Sequence, residues 1–233
     1  MTSLLETQGL SRRFGGLAAV ADVDFTLPAG EIRAIIGPNG AGKTTFVSLI
    51  AGRLAPSSGM IRFDGEEITG LPAFRRARCG IAYTFQITSI FANLTVGENV
   101  MLAARGGRGG GPPPERCLAR VGLEARAEQK AGTLAYGHQR LLEVAMGLAL
   151  APRLLILDEP TQGLSDVEIA GFADLVRGLA GETTILLIEH NMQVVMELAQ
   201  RITVMDRGAI LAEGTPAAIR ADEAVQRAYL GSV

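Results

Sequence analysis

Residues 37–45, GPNGAGKTT, set three glycines in a short run that ends on a lysine and two threonines. Glycines let successive backbone N–H groups curl around phosphate oxygens, and a helix opening at that point adds the positive end of its dipole. Gly37, Gly42, Lys43 and Thr44 fit the G-x-x-x-x-G-K-[ST] spacing. In that chemistry Lys43 reaches the β and γ phosphates of a nucleoside triphosphate and the Thr44 hydroxyl ligates Mg2+. Pro38, Asn39, Gly40, Ala41 and Thr45 complete the cradle. A plain glycine turn would leave the lysine unexplained.

A second set of residues suits the same substrate. In LLILDEP, Asp158 and Glu159 end a hydrophobic run; Asp158 is placed to hold Mg2+ through water and Glu159 to polarise an attacking water as general base. Gln86 closes IAYTFQ and His190 closes TTILLIEH. Gln86 is positioned for the metal or the attacking water. His190 suits a hydrogen bond to the γ-phosphate or a charge shuttle. Taken alone, Gln86 reads as an ordinary loop residue and His190 as an ordinary helix cap, and their case rests on order along the chain. A second anion-binding turn stands in TLAYGHQRLLEVAMG, Thr133 to Gly147, where a glycine turn meets a helical pattern. An ordinary cap would favour Ser, Thr, Asp or Asn, and neither Ala135 nor Tyr136 supplies such an oxygen. Backbone donors at Gly137 and the helix dipole would then face a phosphate from the far side.

These residues need a scaffold that gathers strand ends. EIRAIIG (Glu31 to Gly37), GIAYTF (Gly80 to Phe85), RLLILDE (Arg153 to Glu159), TTILLIEH (Thr183 to His190) and RITVMD (Arg201 to Asp206) read as buried strands. Helical patterns at Thr44 to Ala51, Tyr136 to Leu150 and Val167 to Ala180 lie between them, predicting a parallel sheet covered by helices. The first thirty or so residues predict antiparallel strands instead. RGGRGGGPPPE, Arg105 to Glu115, predicts a surface loop within a more helical stretch.

The chain has 233 residues, of which 48% are hydrophobic and 20% charged, a globular balance able to bury a sizeable core. A net charge of −2 gives no basic footprint, and no nucleic-acid partner is expected. Cys79 and Cys117 lack metal-site spacing and read as reduced thiols. No leader peptide is evident at the N-terminus. The longest apolar stretch, Ala145 to Leu157, is broken by Pro152 and Arg153 and falls short of the ~20 residues of a membrane span. A soluble, cytoplasmic chain is expected.

With these residues assembled, the chain from Leu4 onward resembles the ATP-binding subunit of an ABC transporter. The phosphate loop resembles the family's Walker A motif, Gln86 falls at its Q-loop, and LAYGHQ stands where the family carries its signature. LLILDE resembles Walker B, GLSD (Gly163 to Asp166) the D-loop, and His190 the switch histidine. Phe14 stands where the family packs a ring against adenine. The resemblance implies an α/β P-loop NTPase fold: a RecA-like core with an antiparallel β subdomain over about 1–85 and 153–233, and a helical subdomain over about 86–152. It also implies ATP and Mg2+ as cofactors, and two subunits closing head to tail, each phosphate loop meeting the other chain's signature. The signature departs from the usual Leu-Ser-Gly-Gly-Gln. Ala135 replaces the serine, Tyr136 replaces the first glycine, and His138 precedes Gln139. Losing the serine hydroxyl would cost about 0.5–1.5 kcal/mol of contact.

RRFGGLAAV, FQITSIFANLTVGENV and LAYGHQRLLEVA are most similar to the ATPases of branched-chain amino acid importers, in particular the first of their two ATPase subunits. That likeness implies a second ABC ATPase subunit as partner, with a homodimer as the other arrangement. It further implies two membrane-spanning permease subunits, a periplasmic substrate-binding protein and a peripheral place on the cytoplasmic face of the inner membrane. Cargo would be a branched-chain amino acid or a related small amide. Alternatives are an exporter or importer of other cargo, or a soluble ABC ATPase acting on DNA or ribosomes, whose relatives carry long coiled coils or paired cassettes not found here. A P-loop kinase would leave the signature and Glu159 unexplained.

Overall fold

The computed structural model describes residues 3–84, 89–107 and 109–230. The chain opens with a hairpin, β1 (Ser3–Phe14) and β2 (Leu17–Pro28), then runs through β3 (Ile32–Ile36) and the glycine loop into helix α1 (Lys43–Ile50). Next, β4 (Ser58–Phe63) and β5 (Glu66–Glu67) return to the hairpin, and α2 (Ala73–Cys79) leads to β6 (Ile81–Thr84). A helical stretch follows, with α3 (Val96–Ala104), α4 (Pro114–Arg120) and α5 (Tyr136–Ala149). The remainder alternates through β7 (Leu154–Asp158), α6 (Asp166–Leu179), β8 (Thr184–Ile188), α7 (Met192–Leu198), β9 (Arg201–Asp206), β10 (Ala209–Gly214), α8 (Pro216–Ala221) and α9 (Glu223–Leu230).

Two sheets result. One is antiparallel in the order β2-β1-β4-β5; the other runs β10-β9-β3-β8-β7-β6, parallel from β9 to β6 with β10 antiparallel at its edge. The parallel strands are apolar runs because both faces are covered. In β7, Leu154 and Ile156 join the core shared with α1 and the antiparallel sheet, while Leu155 and Leu157 join the core formed with α3 to α6. Phe25 of β2 meets Phe46 of α1 edge-on, with ring centroids 5.4 Å apart. This contact seats the antiparallel sheet on the helix that follows the phosphate loop.

The helix starts follow local chemistry. Thr95 with Glu98 and Ser165 with Glu168 form reciprocal capping boxes at α3 and α6. The glycine- and proline-rich stretch is shorter as a loop than its composition predicts. Pro114 opens α4 after Pro113 at the cap, because a proline at the first helical position gives up only an N–H that has no helical partner. Among the described residues, no helix is long and apolar enough to cross a membrane.

Candidate active site

Strands β3, β8, β7 and β6 lie side by side and parallel, so their C-terminal ends share one edge, where ligands gather in open α/β sheets. From that edge β3 delivers the phosphate loop, β7 delivers Asp158 and Glu159, and β8 delivers Glu189 and His190. Gln86, which follows β6, lies outside the described residues.

The loop is held from two sides. Gly42 has φ 97°, and a Cβ there would stand 2.2 Å from the Ala19 carbonyl oxygen, so β2 approaches too closely for any side chain. Behind it the Gly208 N–H donates to Ala41 O at 3.0 Å, and the Ala21 N–H to Gly208 O at 2.8 Å. No side chain caps α1, which leaves its first-turn amides to the loop. Lys43 is buried and donates from Nζ to the carbonyls of Gly37 at 2.7 Å and Pro38 at 3.0 Å. Burial lowers its pKa, against the opposing attraction of Glu159 and Asp158. Asn39, Gly40 and Thr44 are exposed, Pro38 and Thr45 half-buried and Ala41 buried. Phe14 ends β1, on the hairpin that touches the loop through Ala19, and is exposed with the Arg12 guanidinium 4.7 Å above its ring centroid.

Asp158 is fully buried. Its Oδ2 accepts the Tyr83 hydroxyl, whereas Oδ1 has no hydrogen-bond partner among the described residues. Burial raises its pKa, countered by the Tyr83 bond and by Arg53 and Lys43. A buried carboxylate oxygen with no partner among the described residues, at the sheet edge that also carries the Thr44 loop, fits Mg2+, which takes one or two carboxylates together with substrate phosphates and water. The donor set Thr44 and Asp158 is all oxygen, as that ion requires.

Beyond Asp158 the backbone turns sharply. Glu159 has φ 49°, a left-handed conformation costing a non-glycine residue roughly 1 kcal/mol or more. There its Oε1 meets His190 Nε2 at 2.8 Å. With the carboxylate ionised, that contact puts the imidazole proton on Nε2. Asn191 starts α7, its Oδ1 accepting from the N–H groups of Gln193 and Val194, so His190 stands outside the helix and does not cap it.

The second glycine turn is at the start of α5. Ala135 is the cap residue, exposed and extended, with no side-chain hydrogen bond to the helix. Gly137 is buried, and a Cβ there would meet Glu168 Oε1 at 2.1 Å. Gln139 turns inward, donating from Nε2 to Leu134 O at 3.0 Å. The Tyr136 hydroxyl accepts from Arg140 at 2.9 Å, Arg140 pairs with Glu143 at 3.1 Å, and Glu143 accepts the Ser89 N–H at 2.6 Å. The atypical tyrosine is thus tied through a buried ion pair to the segment that follows β6.

Sequence reasoning overlooked Tyr83 and Glu189. Each carried a signal: a tyrosine in a buried strand needs a partner for its hydroxyl, and a carboxylate directly after TILLI is placed where charge is rarely buried. A groove of about 800 Å³ lies elsewhere, lined by Met192, Met196, Ile219 and Val225 among others. The phosphate loop exposes Asn39, Gly40 and Thr44, and Pro38 to Ala41 line a separate cavity of about 390 Å³ with Asp206, Arg207 and Arg227.

The family described as ABC transporter matches residues 20–162, and that described as branched-chain amino acid ATP-binding cassette transporter matches residues 209–233. Over 98% of both chains the sequence is 41% identical to the high-affinity branched-chain amino acid transport ATP-binding protein BraF of Pseudomonas aeruginosa. The fold matches the ADP conformation of MJ1267, an ATP-binding cassette of an ABC transporter, with a TM-score of 0.89 and 27% identity over 99% of this chain and 100% of that one. It also matches the dimeric post-hydrolysis state of the ATP-binding cassette MJ0796 bound to ADP and Pi, with a TM-score of 0.80 and 25% identity over 91% of this chain and 98% of that one.

Proposed function

The chain belongs to the ATP-binding subunits of ABC transporters, and from that premise we propose that it is the ATP-hydrolysing motor of an importer for branched-chain amino acids or related small amides. The cargo rests on its full-length likeness to BraF and on the C-terminal match at 209–233. The hydrolytic role rests on one observation, the convergence of Lys43, Asp158 and the Glu159–His190 contact on a single sheet edge.

Residues 37–45 bind the triphosphate, with Lys43 leaving its carbonyl partners for phosphate oxygens as the first-turn amides of α1 hold the rest. Thr44 and, through water, Asp158 would hold Mg2+. When bound, Mg2+ offsets the charge of the phosphate oxygens. Glu159 takes the proton of the attacking water, and His190 orients that carboxylate. Gln86 serves the metal or the water, and Phe14 stacks on the adenine.

Two ATPase subunits close head to tail, so that Ala135 and Gly137 of one face the γ-phosphate on the other, with Gln139 leaving the Leu134 carbonyl to join them. The exposure of Asn39, Gly40 and Thr44 supports this reading, as does the dimeric relative MJ0796. The partner is a second ATPase subunit. The pair drives two permease subunits from the cytoplasmic face of the inner membrane, supplied by a periplasmic binding protein. The helical segment around residues 86–152 transmits closure.

Glu159→Gln tests the assignment. In the purified transporter the variant will bind ATP, accumulate closed dimers and lose turnover. Hydrolysis at the wild-type rate would reject Glu159 as the base.

A further inference from the structure

Beyond the residues assigned above, we propose that Glu189 is a positioning residue for hydrolysis, its buried carboxylate clamping the loop of Glu159 to the loop of His190. The inference rests on the reading of Glu159 and His190 as the hydrolytic pair. Glu189 is only 3% exposed, and its two oxygens divide their work. Oε1 accepts from the Thr161 N–H at 2.9 Å and the Thr161 hydroxyl at 2.6 Å. Oε2 accepts from the N–H groups of His190 at 2.9 Å and Asn191 at 3.1 Å. An ionised carboxylate has about four acceptor sites, so four donors satisfy it without a cation.

The placement of those donors gives the clamp its purpose. The β7–β8 ladder ends at the Asp158–Ile188 pair, and the Glu159 N–H to Ile188 O bond at 2.9 Å extends it by one step. Beyond that, Glu189 ties Thr161, two residues past Glu159, to the backbone of His190. Glu159 sits in left-handed backbone with its side chain 12% exposed, whereas the His190 side chain is 43% exposed, so packing does not fix the histidine. A carboxylate that grips both loops holds their 2.8 Å contact in register.

The test uses Glu189→Gln, which keeps size but turns one acceptor oxygen into a donor facing other donors. ATP affinity of the isolated chain should stay within about twofold, while kcat of the transporter falls about 10–100-fold, the scale expected of a displaced catalytic group. A second readout is specific to positioning. The chain has two histidines, so the His190 ring resonance is assignable by removing His138. In the wild-type background Glu159→Gln will move that resonance; in the Glu189→Gln background it will not, because the contact is already broken. If Glu189→Gln fails to fold, Thr161→Val, which removes one hydroxyl from the same clamp, must lower kcat at constant ATP affinity.

A folded Glu189→Gln protein with wild-type kcat, a parallel loss of ATP affinity, or a His190 resonance that still answers Glu159→Gln would overturn the proposal. So would an unfolded Glu189→Gln chain combined with wild-type kcat in Thr161→Val. Normal turnover by Glu159→Gln would instead overturn the underlying reading of the site.

Discussion

Asp158 shows how a single residue is prepared for its role. Its buried carboxylate keeps one oxygen for the hydroxyl of Tyr83 and leaves the other without a partner among the described residues. Tyr83→Phe will strip the second oxygen too, and stability of the nucleotide-free chain should drop by about 1–3 kcal/mol, measured by urea denaturation at neutral pH. The pH dependence has a definite sign. Burial already raises the Asp158 pKa and the tyrosine bond lowers it, so the variant raises it further. A folded state that holds its proton more tightly than the unfolded chain loses stability as pH rises, so the deficit of Tyr83→Phe is full above the folded pKa and narrows on acidification through it. An equal deficit at all pH values would count against this account. The phosphate loop was legible in sequence because its contacts are local, Lys43 reaching carbonyls only six and five residues away. Tyr83 and Glu189 were not, because the Asp158 partner of Tyr83 lies 75 residues away and the Thr161 donors of Glu189 lie 28 away, and only the fold unites them.

At the scale of elements, the same distinction decides what the pattern of residues reveals. Strands β3, β7, β8 and β9 are legible as apolar runs because both faces are covered. By contrast β5 (EE) and β10, with alternate residues exposed, are edge strands whose composition carries little signal. Helix α5 was legible by its amphipathic period, but its internal wiring was not. Arg140 and Glu143 form an ion pair with side chains 3% and 5% exposed, linking Tyr136 to the Ser89 backbone. Breaking a buried pair by removing one partner leaves an uncompensated charge, so Arg140→Met should destabilise the chain by about 3–5 kcal/mol. Replacing both, Arg140→Met with Glu143→Leu, should recover a large part of the loss. Thermal unfolding of the two variants measures the difference, and a double variant no better than the single one would show that the Tyr136 and Ser89 contacts carry the stability instead.

At the scale of the whole molecule, the open phosphate loop and the uncapped α5 ask for a second subunit, and one variant separates folding from function there. Ala135 is exposed at a helix start with no capping oxygen. Ala135→Asp supplies one and adds a favourable charge at the positive end of α5, so the single subunit should gain about 0.5–2 kcal/mol of stability. In a head-to-tail dimer the same carboxylate would face the γ-phosphate bound to the partner's loop, and like charges would block hydrolysis there. Lys43→Ala disables the opposite half, leaving the signature intact. Where the chain pairs with itself, each variant alone is inactive. Mixed dimers, however, contain one site built from the intact loop of the Ala135→Asp chain and the intact signature of the Lys43→Ala chain. Mixing the two should therefore restore turnover that neither has alone, read as phosphate release against subunit ratio. If each chain's signature served its own loop, no mixture would contain an intact site and activity would stay absent at every ratio. With a distinct second ATPase subunit, Ala135→Asp should silence the partner's loop and spare ATP binding at Lys43, which photo-crosslinked nucleotide would report chain by chain.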